Sequence, residues 1–586
     1  MLGAYASFLI VLGAAATIGQ AILVAGGRRG WSPLAPAVGL AALCALAWWT
    51  VRLPGEGTAA LIAIAITAAG SALFLRGRLT RAGAGLRRDL VVALAALLVA
   101  SLPFIVEARF GILGTGLNPD MSQHLFAADR LAAGDSERLI GEGYPLGPHA
   151  IVVAVAALGP STVEAFNGLM LAVAVAACLA PLALLDGLSD WRRAGAALCI
   201  GLAYLVAASF VQGSFKETLQ ALFVLGFAIA LLRSAQALPT GESGAPATLA
   251  AVPLAVLAIG SAYAYSFPGL AWLAGALAVW AAIELARARR RGALGATLRA
   301  ARPALPGASV AVAILLLAIA PELGRMAEFA SFETFDPAGA GLGNLFDRLS
   351  PLEAFGIWPS GDFRVEPGGG FAPAFLFYLG AGLGLAALCF GIGWWLRRGE
   401  RAVPAALTAA AMLWLYALLS GTPYQEAKAL VVMAPLVALV SARALAAAAP
   451  GALLAAFLLA AGGSSVLALA NGPVGPRGYS PELAELAPEL GPGSTFVFAP
   501  PELLDDQHGL DYLLWELRGN RICVERLDHG NLGPAAQGSS LLVTIDEAGA
   551  VVPEGTYANR GAEGPGPCPL IPDAARADPS AADAGS

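Results

Sequence analysis

Asp120 stands in the run Asn118-Pro119-Asp120-Met121-Ser122-Gln123-His124, inside a polar stretch from Glu107 to His149 that apolar sequence flanks on both sides. A carboxylate at this point can do two things. It can cap the short helix that the pattern starts here and carries to about Ala133, with Gln123 as the far half of a capping box. It can also accept a proton from a hydroxyl as that oxygen attacks a carbon, which is general-base work. The two readings are compatible, because a rigid helix start holds a base in one place. His124 follows one turn later and could face the same cavity; packing is the plainer role for a lone histidine. Gly143-Tyr144-Pro145-Leu146-Gly147-Pro148-His149 closes the stretch. Tyr144 and His149 are candidate cavity-lining residues there, against the alternative of interfacial anchors.

The chain's 35 basic residues include only two lysines, Lys216 and Lys428. They occur in Ser214-Phe215-Lys216-Glu217-Thr218 and in Pro423-Tyr424-Gln425-Glu426-Ala427-Lys428, each with a glutamate adjacent or two residues away. An ammonium at a membrane interface binds a phosphate as a point charge, or it snorkels at a helix end. Both lysines lie on the side opposite the arginine clusters, which favours phosphate binding. Glu217 is a candidate second acidic residue. Arg325 and Arg364 are further candidates for phosphate contact. Trp358, in Ile357-Trp358-Pro359-Ser360-Gly361-Asp362-Phe363-Arg364, could stack on a sugar ring or simply order an interfacial turn.

What must position these residues is a membrane bundle. The 586 residues are 58% hydrophobic and 13% charged, with mean hydropathy +0.70. Apolar runs of spanning length recur along most of the chain. The pattern predicts a mainly α fold, a polytopic transmembrane helix bundle of about 12–14 spans. Among them are 89–106, 195–211, 250–266 and 268–286. The stretch 149–158 is too short to cross at full length and reads as a re-entrant or half-buried helix. The first span lacks a basic flank and a cleavage site, so it reads as retained. Such a chain is not a soluble enzyme, and nothing in it suits a nucleic-acid partner.

Arginines orient the bundle. Arg28 and Arg29, Arg76 to Arg88, Arg192 and Arg193, Arg287 to Arg302, and Arg397 to Arg401 all fall on one side if the spans alternate. That side is expected to be cytoplasmic, with the N-terminus and the C-terminal region outside. The composition, rich in Ala and Gly and poor in Lys, suits a high-GC bacterium. Residues 1–88 read as N-terminal extra spans and 89–470 as a core with external loops 107–149 and 321–371. Residues 471–572 read as a small extracytoplasmic α/β domain and 573–586 as a disordered tail. In that domain Ser494–Ala499, Arg521–Glu525 and Ser540–Asp546 read as strands and Gly509–Arg518 as a helix. Cys523 and Cys568 are its two cysteines, expected to form a disulfide in an oxidising compartment; two unpaired thiols are the alternative. His508 and His529 near Asp505, Asp506 and Asp528 only weakly suggest a metal. No metal-ligand spacing, phosphate loop or nucleophile elbow appears. No cofactor is expected, and a divalent metal has no support in the sequence.

An acidic residue in a large external loop, a short amphipathic helix after it, and the Tyr144-Pro145-x-Gly147-x-His149 return into the membrane together resemble the GT-C superfamily. These are membrane glycosyltransferases that use polyprenyl-phosphate sugars. The likeness is nearest to bacterial GT-C-like proteins of unassigned substrate. It implies a GT-C type bundle over about 89–470, with Asp120 as catalytic carboxylate. It also implies a polyprenyl-phosphate sugar donor, a glycan, lipid or protein acceptor, and membrane lipids as surroundings. The expected reaction is inverting sugar transfer at the outer face of the cytoplasmic membrane.

Other functions remain open at this level. A transporter or lipid-linked glycan flippase needs charged residues along a path within the spans, and few are evident; Glu164, Asp186 and Glu284 lie near span ends. An O-antigen-type polymerase or ligase is expected to use Arg and His in its later loop, and 321–371 has no His. A non-catalytic scaffold would use the C-terminal domain as its working part.

Overall fold

The computed structural model describes residues 2–571 apart from 29, 79–82, 115–119, 136–142, 238–248, 332–340, 344 and 346 and, towards the C-terminus, 476–482, 484–485, 488–489, 491–493, 501–512, 527–538, 546–550, 559–567 and 569–570. Ten helices among the described residues are long and apolar enough to cross a hydrocarbon core. The chain is a multi-pass membrane protein. Asp190–Gly201 and Tyr204–Val211, bent by 55° at the break between them, would make an eleventh span if counted as one.

The count differs from 12–14 for local reasons. Ala35–Val51 is helical but only 17 residues long. The expected span 89–106 divides into Gly83–Ala100 and Leu102–Val106, with Pro103 opening the second piece. Spans 250–266 and 268–286 are both present, as two helices joined across a kink within the run Val252–Arg290. That run folds back sharply at Ser266 (φ 60°, ψ −151°), two residues before Pro268. A Cβ on Gly269 would lie 2.7 Å from the Ser261 carbonyl. A straight helix would separate these residues by about 12 Å along its axis, so the run has two arms.

Thr162–Leu179, Phe215–Ala237 and Pro423–Ala448 form the buried centre of the bundle, and Glu56–Leu75 and Leu305–Ile319 expose most of their apolar side chains at its edge. Gly147–Ala156 is a short helix, buried over nearly its whole length and wedged among Ala35–Val51, Glu56–Leu75 and Thr162–Leu179. The central helices begin at one end of the bundle, where Asp120 also lies; we call this the loop face.

The segment 321–371 does not stay on the surface. Its turn Pro351–Phe355 packs between Ala374–Arg398 and Pro423–Ala448. Gly380 and Gly384 make room for it: a Cβ there would come within 2.7 Å of the Ile357 carbonyl and 2.5 Å of the Phe355 carbonyl, respectively. Gly384 is ten residues into its helix, about 15 Å from the helix start. Irregular backbone persists at such depth only where protein surrounds it. Trp358 is therefore a packing residue and does not line a sugar cavity. It is fully buried, its backbone N–H donates to Ser464 Oγ at 2.9 Å, and its ring meets Phe377 edge-on at 4.9 Å.

The C-terminal part holds four strands: β1 is Ser494–Ala499, β2 Arg521–Arg526, β3 Ser539–Ile545 and β4 Val551–Ala558. They form one sheet in the order β2-β1-β3-β4. β1 runs parallel to β2 and β3, and β4 is antiparallel to β3. β4 was not expected, because Pro553 and Gly555 interrupt its pattern. As an edge strand it tolerates both. Of Gly509–Arg518, only 513–518 is described, with a helical turn over 513–516. His508, His529, Asp505, Asp506 and Asp528 lie outside the described residues. The sheet unit meets the bundle at Asp129, which accepts from Trp515 Nε1 at 3.0 Å and pairs with Arg518 at 3.2 Å.

Cys523 on β2 is joined to Cys568 by a disulfide across 45 residues of sequence. Loop-closure entropy puts its contribution at about 4 kcal/mol. Replacing both cysteines by serine is expected to make the sheet unit sensitive to proteolysis while the bundle stays resistant; mass-mapped limited digestion checks this.

Candidate active site at the loop face

The site is built from three helix starts and one helix bend. Thr422 and Gln425 form a capping box: Thr422 Oγ1 accepts from the Gln425 backbone N–H at 3.2 Å, and Gln425 Oε1 accepts from that of Thr422 at 3.1 Å. The box fixes the first turn of Pro423–Ala448. Tyr424 and Lys428, four residues apart, then share a face. The Lys428 ammonium lies 4.0 Å from the Tyr424 ring centroid and 3.3 Å from Glu217 Oε1. Glu217 opens Phe215–Ala237 and also accepts from the Tyr265 hydroxyl at 3.4 Å. Tyr265 reaches it because the chain bends at Ser266.

Asp120 occupies the N-cap position of Met121–Ala132, yet its side chain makes no capping bond to that helix. The expected capping box with Gln123 does not form. Instead Asp120 Oδ2 accepts from the Tyr424 hydroxyl at 3.2 Å, across 304 residues of sequence. The helix start is pressed into place at Gly213 (φ +73°), where a Cβ would meet Met121 Cγ at 2.6 Å. Tyr424 is held from its other side by Gly343 (φ +57°), where a Cβ would lie 2.7 Å from the ring. Gly343→Ala is expected to add about 1–2 kcal/mol of backbone strain and to displace Tyr424. A lowered melting temperature and roughly tenfold slower turnover are the readouts.

Lys216 differs from Lys428 in its partners. Its ammonium lies 4.0 Å from the Tyr144 ring centroid. Among the described residues it makes no ion pair, although Glu217, Lys428 and Asp120 all act on its charge. A half-open cavity lined by Ser209, Gln212, Ser214, Glu217, Phe363, Tyr424 and Lys428 adjoins the cluster; its volume, measured at the centre of a water-sized sphere, is about 30 Å³. A larger ligand would have to reach the cluster from the cavity's open side.

His124 and His149 sit behind Tyr144 as a pair, Nδ1 to Nε2 at 3.3 Å, with Phe215 packed edge-on against both. Burial, then the Lys216 charge, holds His124 well below its ordinary value of 6.5. It is neutral near pH 7. In the unfolded chain it would take up a proton as pH falls below 6.5, so its contribution to stability is full above that pH and declines below it. His124→Phe is expected to leave the pH–rate profile unchanged in shape above pH 6 and to flatten the fall in melting temperature between pH 6.5 and 5.

Two arginines lie elsewhere. Arg325 is buried, paired with Glu322 at 2.6 Å, and donates to the carbonyls of Gly143 and Ala262 at 3.2 Å each. A buried guanidinium must be saturated by protein acceptors, so it fastens the segment bearing Tyr144 instead of meeting a phosphate. Arg364 is bound to Asp362 at 2.9 Å and 3.0 Å, with its side chain 4% exposed. The same pairing takes it out of phosphate contact. Sequence reading passed over Tyr424, Tyr265 and Gly343. The signal for Tyr424 was its spacing from Lys428 in a capped helix start; Tyr265 and Gly343 had none. Among the described residues no group of three or more His, Cys, Asp or Glu could hold a metal ion.

No protein-family profile matches the chain, and no curated protein sequence matches it. Its structure is similar to that of the arabinofuranosyltransferase AftD from mycobacteria, with a TM-score of 0.45 and 16% identity. That match covers 75% of this chain but only 32% of AftD, so this chain spans about a third of its length. Likeness of this degree does not assign an activity.

Proposed function

We propose that the protein is a GT-C-type membrane glycosyltransferase that moves a sugar from a polyprenyl-phosphate donor to an acceptor hydroxyl. The observation that carries this reading is the meeting of Asp120, Tyr424, Lys216, Lys428 and Glu217 in one cluster. A base and two cations are held together where lipid and water meet. Asp120, turned away from its own helix and bound by Tyr424, takes the proton of the acceptor hydroxyl. The freed oxygen attacks the anomeric carbon on the face opposite the phosphate, and the configuration inverts. The anomeric C–O bond to phosphate breaks, and its electrons leave with the polyprenyl phosphate. Lys216 meets that growing charge, aided by Lys428, whose ammonium Glu217 and Tyr424 position. The polyprenyl tail stays in lipid throughout. The arginine distribution supports a loop face outside the bacterial cytoplasmic membrane, with both termini on that side. The acceptor is a glycan, a lipid or a protein.

The test supplies purified protein in proteoliposomes with panels of polyprenyl-phosphate sugars and of nucleotide sugars. Release of free polyprenyl phosphate, dependent on added acceptor, is expected. Sugar transfer from nucleotide sugars alone, with the nucleotide as leaving group, would overturn the donor class. Movement of an intact lipid-linked sugar between leaflets with no bond broken would identify a flippase.

A further inference from the structure

A second cavity lies deep in the bundle, away from the Asp120 cluster. It sits where the Pro351–Phe355 turn meets the break between Asp190–Gly201 and Tyr204–Val211. Its polar wall comprises Tyr204, Glu353, Ser441 and Ser465, with small or apolar side chains between them, and its volume of about 20 Å³, measured at the centre of a water-sized sphere, admits a water-sized occupant. Ala434 and Ala438 also line it. They are eleven and fifteen residues into Pro423–Ala448, about 16–22 Å along the axis, which is mid-membrane depth.

Glu353 is 2% exposed, and its Oε2 has no hydrogen-bond partner among the described residues. Among those residues no Lys or Arg pairs with it. The groups that face it are few. Its own segment supplies the Ser350 backbone N–H and Asp362, which is bound to Arg364; the broken helix supplies Tyr204. Pro423–Ala448 and Gly451–Ala470 offer the hydroxyls of Ser441 and Ser465. An unpaired carboxylate here would be very costly, so with the cavity empty Glu353 carries its proton. Yet every hydroxyl of the wall has already used its hydrogen. Ser441 donates to the Val437 carbonyl at 2.9 Å, Ser465 to that of Ala461 at 3.2 Å, and Tyr204 to that of Ser360 at 3.1 Å. Their remaining capacity is oxygen lone pairs.

One ionisable carboxyl among acceptor oxygens, at a helix break in mid-membrane, is the donor set of a small hard cation. We propose that Glu353, with Tyr204, Ser441 and Ser465, forms an intramembrane site for a single sodium ion. The ion enters as the Glu353 O–H bond breaks and its proton leaves to water, so the net charge of the site is unchanged.

A hydrophobic carbodiimide tests this, because it adds only to a protonated buried carboxyl; the acid proton passes to its nitrogen and no other reactant is needed. Detergent-purified full-length protein is treated in choline chloride or sodium chloride, and modification at Glu353 is read by mass spectrometry. Labelling in choline is expected to slow at least tenfold in sodium, with the half-protecting sodium concentration falling about tenfold per unit rise in pH. The double variant Ser441→Ala/Ser465→Ala should label normally in choline and need about tenfold more sodium for protection. Asp120→Asn should be protected like the wild type, since the two sites are separate. Equal labelling in both salts, or none in either, would overturn the site and leave Glu353 a buried structural acid. Should the double variant fail to fold, the wild-type comparison still decides.

Discussion

Asp120→Asn is expected to insert and fold as the wild type does and to lose sugar transfer by about 10²–10⁴-fold, the usual worth of a positioned general base. Asparagine keeps the size of the side chain and can still accept the Tyr424 hydroxyl bond seen at 3.2 Å. What it cannot do is take a proton. The loss should therefore fall on kcat, with the KM for donor little changed. Asp120→Glu keeps the charge but moves it by one methylene, and partial activity is expected. Tyr424→Phe removes only the bond that aims the carboxylate. It should cost less than Asp120→Asn, and combining the two should add little, because both act through the same oxygen. Turnover of Asp120→Asn at the wild-type rate would discard the catalytic role outright.

Lys216→Met is the second large effect, a fall of about 10²–10³-fold in kcat. Methionine preserves the apolar stem over Tyr144 and deletes the one ammonium of the cluster that makes no ion pair among the described residues. The parallel change Lys428→Met behaves differently. It takes away the ammonium 3.3 Å from Glu217 Oε1 and leaves that oxygen the Tyr265 hydroxyl bond; breaking a buried ion pair from one side costs about 3–5 kcal/mol. That variant should be poorly folded. Adding Glu217→Gln should restore stability without restoring full activity. The outcome separates the role proposed for Lys216, on the departing phosphate, from that of Lys428, whose ammonium pairs with Glu217. If Lys216→Met transfers normally while the repaired Lys428 variant is dead, the two roles are reversed.

Much of this architecture was legible without coordinates. Apolar length is a local property, so the membrane class and the central spans could be read directly. The polar stretch around Asp120 stood out because a bilayer expels charge. The two lysines stood out because they are so few. Other readings failed for non-local reasons. Trp358 and Arg364 looked like a surface recognition motif, and nothing near them in sequence shows that Gly380 and Gly384, on a later helix, leave a slot for the backbone beside them. Arg325 looked like a spare cation until Glu322 and the carbonyls of Gly143 and Ala262 enclosed it. Asp120 looked like a cap, and the hydroxyl that draws its carboxylate away is on a helix near the far end of the core.

The sequence alone determined that the chain lives in a membrane, which of its ends gathers arginine, and where its charges interrupt the spans. These follow from hydropathy and charge summed over short windows. Tertiary structure alone decided which of those charges meet. The facing of Tyr424, the bend that delivers Tyr265, and the descent of Glu353 into mid-membrane depend on how helices rotate and pack. Packing is settled by contacts between residues hundreds of positions apart, which no local pattern records.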